Sequence, residues 1–119
     1  MRRHVIIILL LVAACWVGQN VCMAGNTVKV GVLLPLKENT DRGRTFLDFY
    51  RGLLMAVEDV KATGTDIEVT AIDCGTTEAQ MVQAIANPVL NNLDVIFGPA
   101  DAEQVTSLSE FCRQHEIRM

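Results

Sequence analysis

The 119-residue sequence predicts an α/β fold, a doubly wound parallel sheet with helices on both faces. Segments rich in β-branched and aliphatic residues alternate with amphipathic segments, and the connections between them are short. Half of the residues are hydrophobic and 20% are charged, a composition that excludes a disordered chain. Right-handed crossovers then favour the strand order 2-1-3.

Residues 28–34 predict the first strand because they are almost entirely β-branched or aliphatic. A polar loop over 37–44 separates them from the first helix, in which Thr45 and Asp48 have the spacing of a capping box and Gly64 suits the end. Apolar residues recur at three- and four-residue spacing, which lines one face of this helix: Phe46, Phe49, Tyr50, Leu53, Val57 and Val60.

Residues 67–73 predict the second strand, and the polar residues Glu68 and Thr70 within it favour an edge position. Thr76 is expected to cap the next helix. Pro88 cannot continue that helix, so we expect a break and a short extra turn there. The predicted inner face of this second helix consists of Met81, Val82 and Ile85.

Residues 94–97 predict a third, nearly all-apolar strand, and Asp101 with Gln104 has the spacing of another capping box. The helix that follows is expected to bury Val105, Leu108, Phe111 and Cys112. Residues 117–119 resemble the start of a fourth strand. Because a central parallel strand needs neighbours on both sides, we expect the chain to be a piece of a longer protein.

The N-terminus has the pattern of a secretory signal peptide. A basic start precedes the apolar run 5–15, which is too short for a membrane span of about 20 residues. Two cleavage sites are expected as alternatives. Cleavage after residue 24 would release a soluble chain, whereas cleavage before Cys15 would remove residues 1–14 and leave Cys15 to carry a lipid. We therefore expect a periplasmic or secreted protein, or in the second case a membrane-anchored lipoprotein, with no other membrane association.

Four cysteines are present, and two of them, Cys15 and Cys22, belong to the N-terminal segment or its border. Export favours a disulfide between Cys74 and Cys112. The predicted strand order, however, places these two residues at opposite edges of the sheet, whereas a bond requires Cα atoms within about 7 Å. We therefore expect two free thiols, with Cys112 buried.

Four segments, in order and in register, resemble type 1 periplasmic-binding-protein domains of the branched-chain amino-acid receptor group. They are 28–36 (VKVGVLLPL), 49–57 (FYRGLLMAV), 72–79 (IDCGTTEA) and 93–99 (LDVIFGP). The resemblance implies that residues 25–119 are the N-terminal part of the first of two lobes. It implies a non-catalytic domain that binds an amino-acid-like small molecule, needs no cofactor and works with an ABC-type membrane transporter. A receptor ectodomain or an envelope-associated module of the same fold is the alternative.

Ligands of open parallel sheets bind beyond the carboxyl ends of the strands, where the strand order reverses. That point lies between strands one and three, and the candidate ligand-binding residues there are Leu36, Lys37, Gly98, Pro99, Ala100 and Asp101. In the family, the turn after strand three often supplies hydroxyl contacts, but here it contains no serine or threonine. Two alternatives stay open: Asp101 as a simple helix cap, and Gly98 as a requirement of a tight turn.

Other functions find less support in the sequence. Eight Lys/Arg and fourteen Asp/Glu follow residue 24, a net charge of about −6 that argues against nucleic-acid binding. Cys112 and His115 have metal-like spacing, yet the sequence offers no second ligand pair. An exported α/β hydrolase is a further alternative, but no serine precedes Ser107, so we expect no enzymatic activity.

Overall fold

The computed structural model describes residues 26–119. Three strands alternate with three helices: β1 (Val28–Leu34), α1 (Asp41–Lys61), β2 (Ile67–Asp73), α2 (Glu78–Ile85), β3 (Val95–Phe97) and α3 (Val105–Gln114). The predicted signal peptide, its two cleavage sites and Cys15 lie outside these residues. None of the helices within 26–119 is both long and apolar enough to cross a membrane.

The strands form one parallel sheet in the order β2-β1-β3, which confirms the predicted order and the edge position of β2. β1 pairs with β2 along its whole length and with β3 over three residues. On the side of β3 away from β1, the amide of Ile96 donates to the carbonyl oxygen of Arg118 at 2.8 Å. The amide of Arg118 in turn donates to the carbonyl oxygen of Asp94 at 3.1 Å. The predicted fourth strand is therefore present as a single bridge.

Helices cover both faces of the sheet, as predicted. Alternate residues of the strands point to opposite faces, so Val30 and Phe97 face α1, whereas Leu33 and Ile96 face α2 and α3. The main core lies on the α2–α3 side: Leu33, Cys74, Met81, Ala84, Leu90, Leu93, Ile96, Leu108, Phe111, Cys112 and Ile117. The α1 side is less completely filled, because a single helix covers it.

The first helix begins earlier than predicted. It starts at Asp41, inside the segment expected to be a loop, because Thr40 provides the cap: its hydroxyl accepts from the amide of Gly43 at 3.1 Å. The predicted cap at Thr45 is wrong, since the Thr45 hydroxyl donates to the carbonyl of Asp41 within the helix. The helix ends at Lys61, three residues before Gly64, in agreement with the prediction.

The second helix is capped by Thr77 rather than Thr76. Thr77 and Gln80 form a complete capping box, in which each side chain bonds to the backbone of the other residue. The predicted inner face is correct at Met81 but wrong at Val82, which is exposed because the helix turns Ala84 inward instead. The chain breaks at Pro88 as expected and forms a 3₁₀ turn over Pro88–Asn92.

The third helix starts one turn later than the capping-box prediction places it, after a 3₁₀ turn over Ala102–Gln104. Leu108, Phe111 and Cys112 are buried as predicted. Val105 is exposed because it lies in the first turn of the helix, beyond the edge of the core.

Candidate functional site

The predicted crevice between the carboxyl ends of β1 and β3 contains a cavity of about 340 Å³. This crevice cavity is bounded by the turn after β3 and by the N-terminal half of α1. Its lining is apolar apart from one hydroxyl: Leu34, Thr45, Phe46, Phe49, Phe97, Gly98, Pro99 and Ala100. The volume is at the lower end of what small-molecule sites occupy.

Gly98 permits a close approach between the end of β3 and the backbone of β1. Its φ is +138°, and a Cβ at this position would lie 2.0 Å from the carbonyl oxygen of Leu33. Only glycine fits this conformation and this close approach. The turn therefore requires glycine for structural reasons, and the same residue also lines the crevice cavity. The Gly98–Pro99 peptide bond that follows is cis.

An ion pair lies beside the crevice cavity and joins α1 to the loop after β3. Nη2 of Arg42, in the first turn of α1, donates to Oδ1 of Asp101 at 2.6 Å, and the guanidinium lies over the ring of Phe46. The hydrogen bond to Asp101 raises the pKa of Arg42 above its usual value. Buried carboxylate oxygens of Asp101 (Oδ2) and Glu38 (Oε2) have no hydrogen-bond partner within residues 26–119.

The predicted capping box of Asp101 and Gln104 is wrong. Asp101 occupies the residue before the 3₁₀ turn, but its side chain makes no capping hydrogen bond, because it is turned toward Arg42. Gln104 is fully buried and bonds elsewhere. The simple helix-cap interpretation of Asp101 therefore does not describe its side chain.

The side chain of Gln104 connects the β2–α2 loop to the start of α3 by hydrogen bonds. Its Nε2 donates to three carbonyl oxygens, those of Cys74 at 2.9 Å, Thr77 at 3.0 Å and Gly75 at 3.2 Å. This role of Gln104 was not predicted from the sequence. The sequence does indicate that Gln104 is buried, because it continues the apolar row of Leu108 and Phe111 at helical spacing. A polar residue at such a position is unusual.

Cys74 and Cys112 are free thiols, as predicted; Cys112 is buried as expected, and Cys74 is buried as well. Burial is the largest cause that raises the pKa of Cys74 to about 11, and the nearby charge of Asp73 adds to it. Burial also raises the pKa of Cys112. Neither thiol is therefore activated as a nucleophile or a metal ligand. Residues 26–119 contain no group of His, Cys, Asp and Glu that could hold a metal ion.

The predicted ligand-binding residues separate into two groups. Gly98, Pro99 and Ala100 line the crevice cavity, with Asp101 in the ion pair beside it. Lys37 instead lines a separate cavity of about 290 Å³ at the ends of β1 and β2, and Leu36 lines neither cavity. The backbone amide of Lys37 donates a hydrogen bond to Oδ1 of Asp73 at 3.1 Å.

Five residues of the crevice cavity were not predicted to be part of the site: Leu34, Thr45, Phe46, Phe49 and Phe97. The aromatic residues of α1 were expected in the core because they follow its apolar spacing. Their position near the start of the helix, next to the carboxyl ends of the strands, could have indicated that they line the site.

The chain matches no protein-family model, no curated protein and no solved structure.

Proposed function

We propose that this chain is an exported, non-catalytic domain that binds a small molecule at the crevice between β1 and β3. The observation that carries the proposal is the apolar cavity at the point where the strand order reverses. In parallel α/β sheets a crevice opens at this point, because the connections that leave the two neighbouring strands run to opposite faces of the sheet. The proposal includes the periplasmic solute-binding type as the closest functional class.

An amino-acid-like ligand fits the chemistry of the crevice. The cavity offers an apolar surface for an aliphatic or aromatic side chain. The ion pair of Arg42 and Asp101 places one charge of each sign beside the cavity, and a ligand's carboxylate and ammonium groups would compete for these two partners. The second carboxylate oxygen of Asp101 is buried without a hydrogen-bond partner within residues 26–119, so a donor that reached it would be stabilised.

In the two-lobe arrangement that we propose, residues 26–119 contribute one wall of the site. A second lobe would close over the crevice, exclude water and complete the contacts. Membrane transport, receptor signalling and envelope association are all compatible with such a domain, because fold does not determine function.

A hydrolytic role has less support from the side chains. The hydroxyl of Ser107 donates to Glu78 at 3.0 Å, and that of Ser109 donates to the carbonyl of Thr106. Nδ1 of His115 lies 3.0 Å from the carbonyl oxygen of Phe111. These partners leave no serine–histidine pair within residues 26–119, and we propose binding without chemistry.

Calorimetric titration of the processed chain with the twenty standard amino acids tests the proposal. For an amino acid that binds, Ala100→Trp should fill the crevice cavity and weaken binding at least about tenfold, or 1.4 kcal/mol. Ala79→Trp is the matched control, because Ala79 is exposed on α2, on the other face of the sheet. Equal affinity of the two variants would contradict the crevice as the binding site.

A further inference from the structure

A polar cavity of about 350 Å³ lies at the carboxyl end of β2. This β2 cavity is bounded by the β2–α2 loop and by one side of α2, and it shares no lining residue with the crevice cavity. Within residues 26–119 the sheet continues beyond β3, toward Arg118, so the cavity lies at the opposite edge. Its lining consists of Ile72, Asp73, Cys74, Gly75, Gln80, Gln83, Ala84 and Asn87.

Asp73 and Asn87 each have one half of their polar group fixed and the other half free. Oδ1 of Asp73 accepts from the backbone amide of Lys37 at 3.1 Å, and Oδ1 of Asn87 accepts from that of Val89, also at 3.1 Å. Oδ2 of Asp73 and Nδ2 of Asn87 make no hydrogen bond within residues 26–119. The cavity therefore has an anchored acceptor and an anchored donor that are both available.

Gln80 repeats this arrangement with a second donor. Its Oε1 accepts from the backbone amides of Thr76 at 2.8 Å and Thr77 at 3.1 Å, whereas its Nε2 has no partner in the described part of the chain. Gly75 leaves room for the amide group, because a Cβ at that position would lie 2.3 Å from Oε1 and 2.8 Å from Nε2. The free donor of Gln80 is thus oriented before any ligand arrives.

The balance of these groups disfavours charged ligands. Asp73 is the only Asp, Glu, Lys or Arg that lines the β2 cavity, and its carboxylate would repel an anion. An ammonium group only donates, so it would leave the amide donors of Gln80 and Asn87 without an acceptor. A hydroxyl group can accept from an amide and donate to Asp73 at the same time. Several hydroxyls on one small molecule match all three anchored groups, whereas a single carboxamide matches only one donor and one acceptor.

We propose that the β2 cavity binds a neutral, polyhydroxylated small molecule, such as a monosaccharide or a cyclitol, at a second site separate from the crevice. Oδ2 of Asp73 accepts from one hydroxyl, and the free amide nitrogens of Gln80 and Asn87 donate to others. Ile72 and Ala84 provide an apolar surface for the carbon atoms of the ligand.

The size and the exposure of the cavity fit such a ligand. Its volume is within the range of small-molecule sites. Gln80 and Asn87 are exposed, so hydroxyls that find no partner on the protein keep their contact with water. Because the protein replaces only part of the hydration of the ligand, we expect dissociation constants in the millimolar range.

Chemical-shift titration of the ¹⁵N-labelled processed chain tests the proposal, with D-glucose, D-ribose and myo-inositol as probes up to about 50 mM. At least one probe should shift the side-chain NH₂ signals of Gln80 and Asn87 along a saturable curve. Ala100→Trp, which fills the crevice cavity, should leave this titration unchanged, so the result does not depend on the proposed function. No saturable shift with any probe, or shifts confined to residues 98–100, would overturn the proposal.

Exchanges of single atoms test the assigned groups. Asn87→Asp keeps the oxygen that accepts from Val89 and replaces the free nitrogen by an oxygen, so it should raise the dissociation constant of the bound probe at least about tenfold. Asn91→Asp is the matched control, because it makes the same change of charge at an exposed position outside the cavity. Asp73→Asn keeps the acceptor for Lys37 but removes the free one, and it should weaken binding similarly. Equal affinities of Asn87→Asp and Asn91→Asp would overturn the site.

Discussion

Arg42 and Asp101 are 59 residues apart in sequence, yet their side chains form a 2.6 Å ion pair beside the crevice cavity. The pair connects the first turn of α1 to the loop that follows β3. It therefore couples two elements on either side of the proposed ligand, which no other ion pair of the described residues does; the remaining pairs join residues three apart on one helix.

We expect this pair to show a measurable coupling free energy. In a double-mutant cycle with Arg42→Met and Asp101→Asn, unfolding by urea should give a positive coupling, because the pair connects distant segments. The matched cycle at Arg51 and Asp48, an exposed pair at 3.0 Å within α1, should give a smaller value. Equal couplings would show that the crevice pair has no special role in joining the two elements.

Gln104 should be critical for stability. Gln104→Leu removes the donor for three carbonyl oxygens and leaves them without their partner, so we expect a loss of about 2–4 kcal/mol in the free energy of unfolding. Gln83→Leu, at an exposed position of α2, should change it by less than about 0.5 kcal/mol. Urea denaturation measures both values. Similar small losses would mean that water replaces the amide.

Gly98 and Gly52 should respond in opposite directions to alanine. Gly98→Ala places a Cβ 2.0 Å from a backbone oxygen at a positive φ, so we expect a loss of more than about 2 kcal/mol. Gly52→Ala should stabilise the protein by about 0.5–1 kcal/mol, because the added Cβ meets no other atom and alanine favours the helix. Thermal unfolding at low protein concentration separates the two outcomes. A harmless Gly98→Ala would contradict the close approach of β3 to β1.

The two thiols should be free but slow to react. Alkylation of the processed chain, unfolded without reductant, should label both Cys74 and Cys112, whereas the folded chain at pH 8 should react slowly. Failure to label either residue after unfolding would show a disulfide and contradict the fold.

The raised pKa of Cys74 also predicts a dependence of stability on pH. The unfolded thiol ionises near 9.0, whereas the folded thiol ionises near 11. The folded state therefore binds the proton more tightly, so the stabilisation is complete below pH 9 and is lost as the pH rises toward 11. Urea unfolding from pH 8 to pH 11 should show this loss, and Cys74→Ala should reduce it. An unchanged slope in the variant would assign the loss to other groups.

The strands and their order could be predicted because their signals are local. β1 and β2 are continuous apolar or alternating runs, and short connections leave few ways to pair them. Helix starts were harder, since Thr40 and Thr45, or Thr76 and Thr77, are equally good caps in sequence. The backbone that reaches each helix decides between them.

The candidate site was only partly predictable for a similar reason. The turn at Gly98 could be assigned to the site because the strand order alone places the carboxyl end of β3 at the crevice, independently of side-chain packing. The wall formed by Phe46 and Phe49 depends on how far α1 lies from the sheet, and apolar spacing does not report that distance. The role of Gln104 depends on contacts with a loop about thirty residues earlier.

The aromatic pair of Phe49 and Phe97 lines both the crevice cavity and an apolar groove of about 570 Å³ between α1 and the sheet. A ligand that displaces either ring on one side thus changes the shape of the other space. Under the proposed function, ligand binding in the crevice and occupation of the groove become linked equilibria. Whatever factor an occupant of one applies to the dissociation constant of the other, the reverse factor is the same.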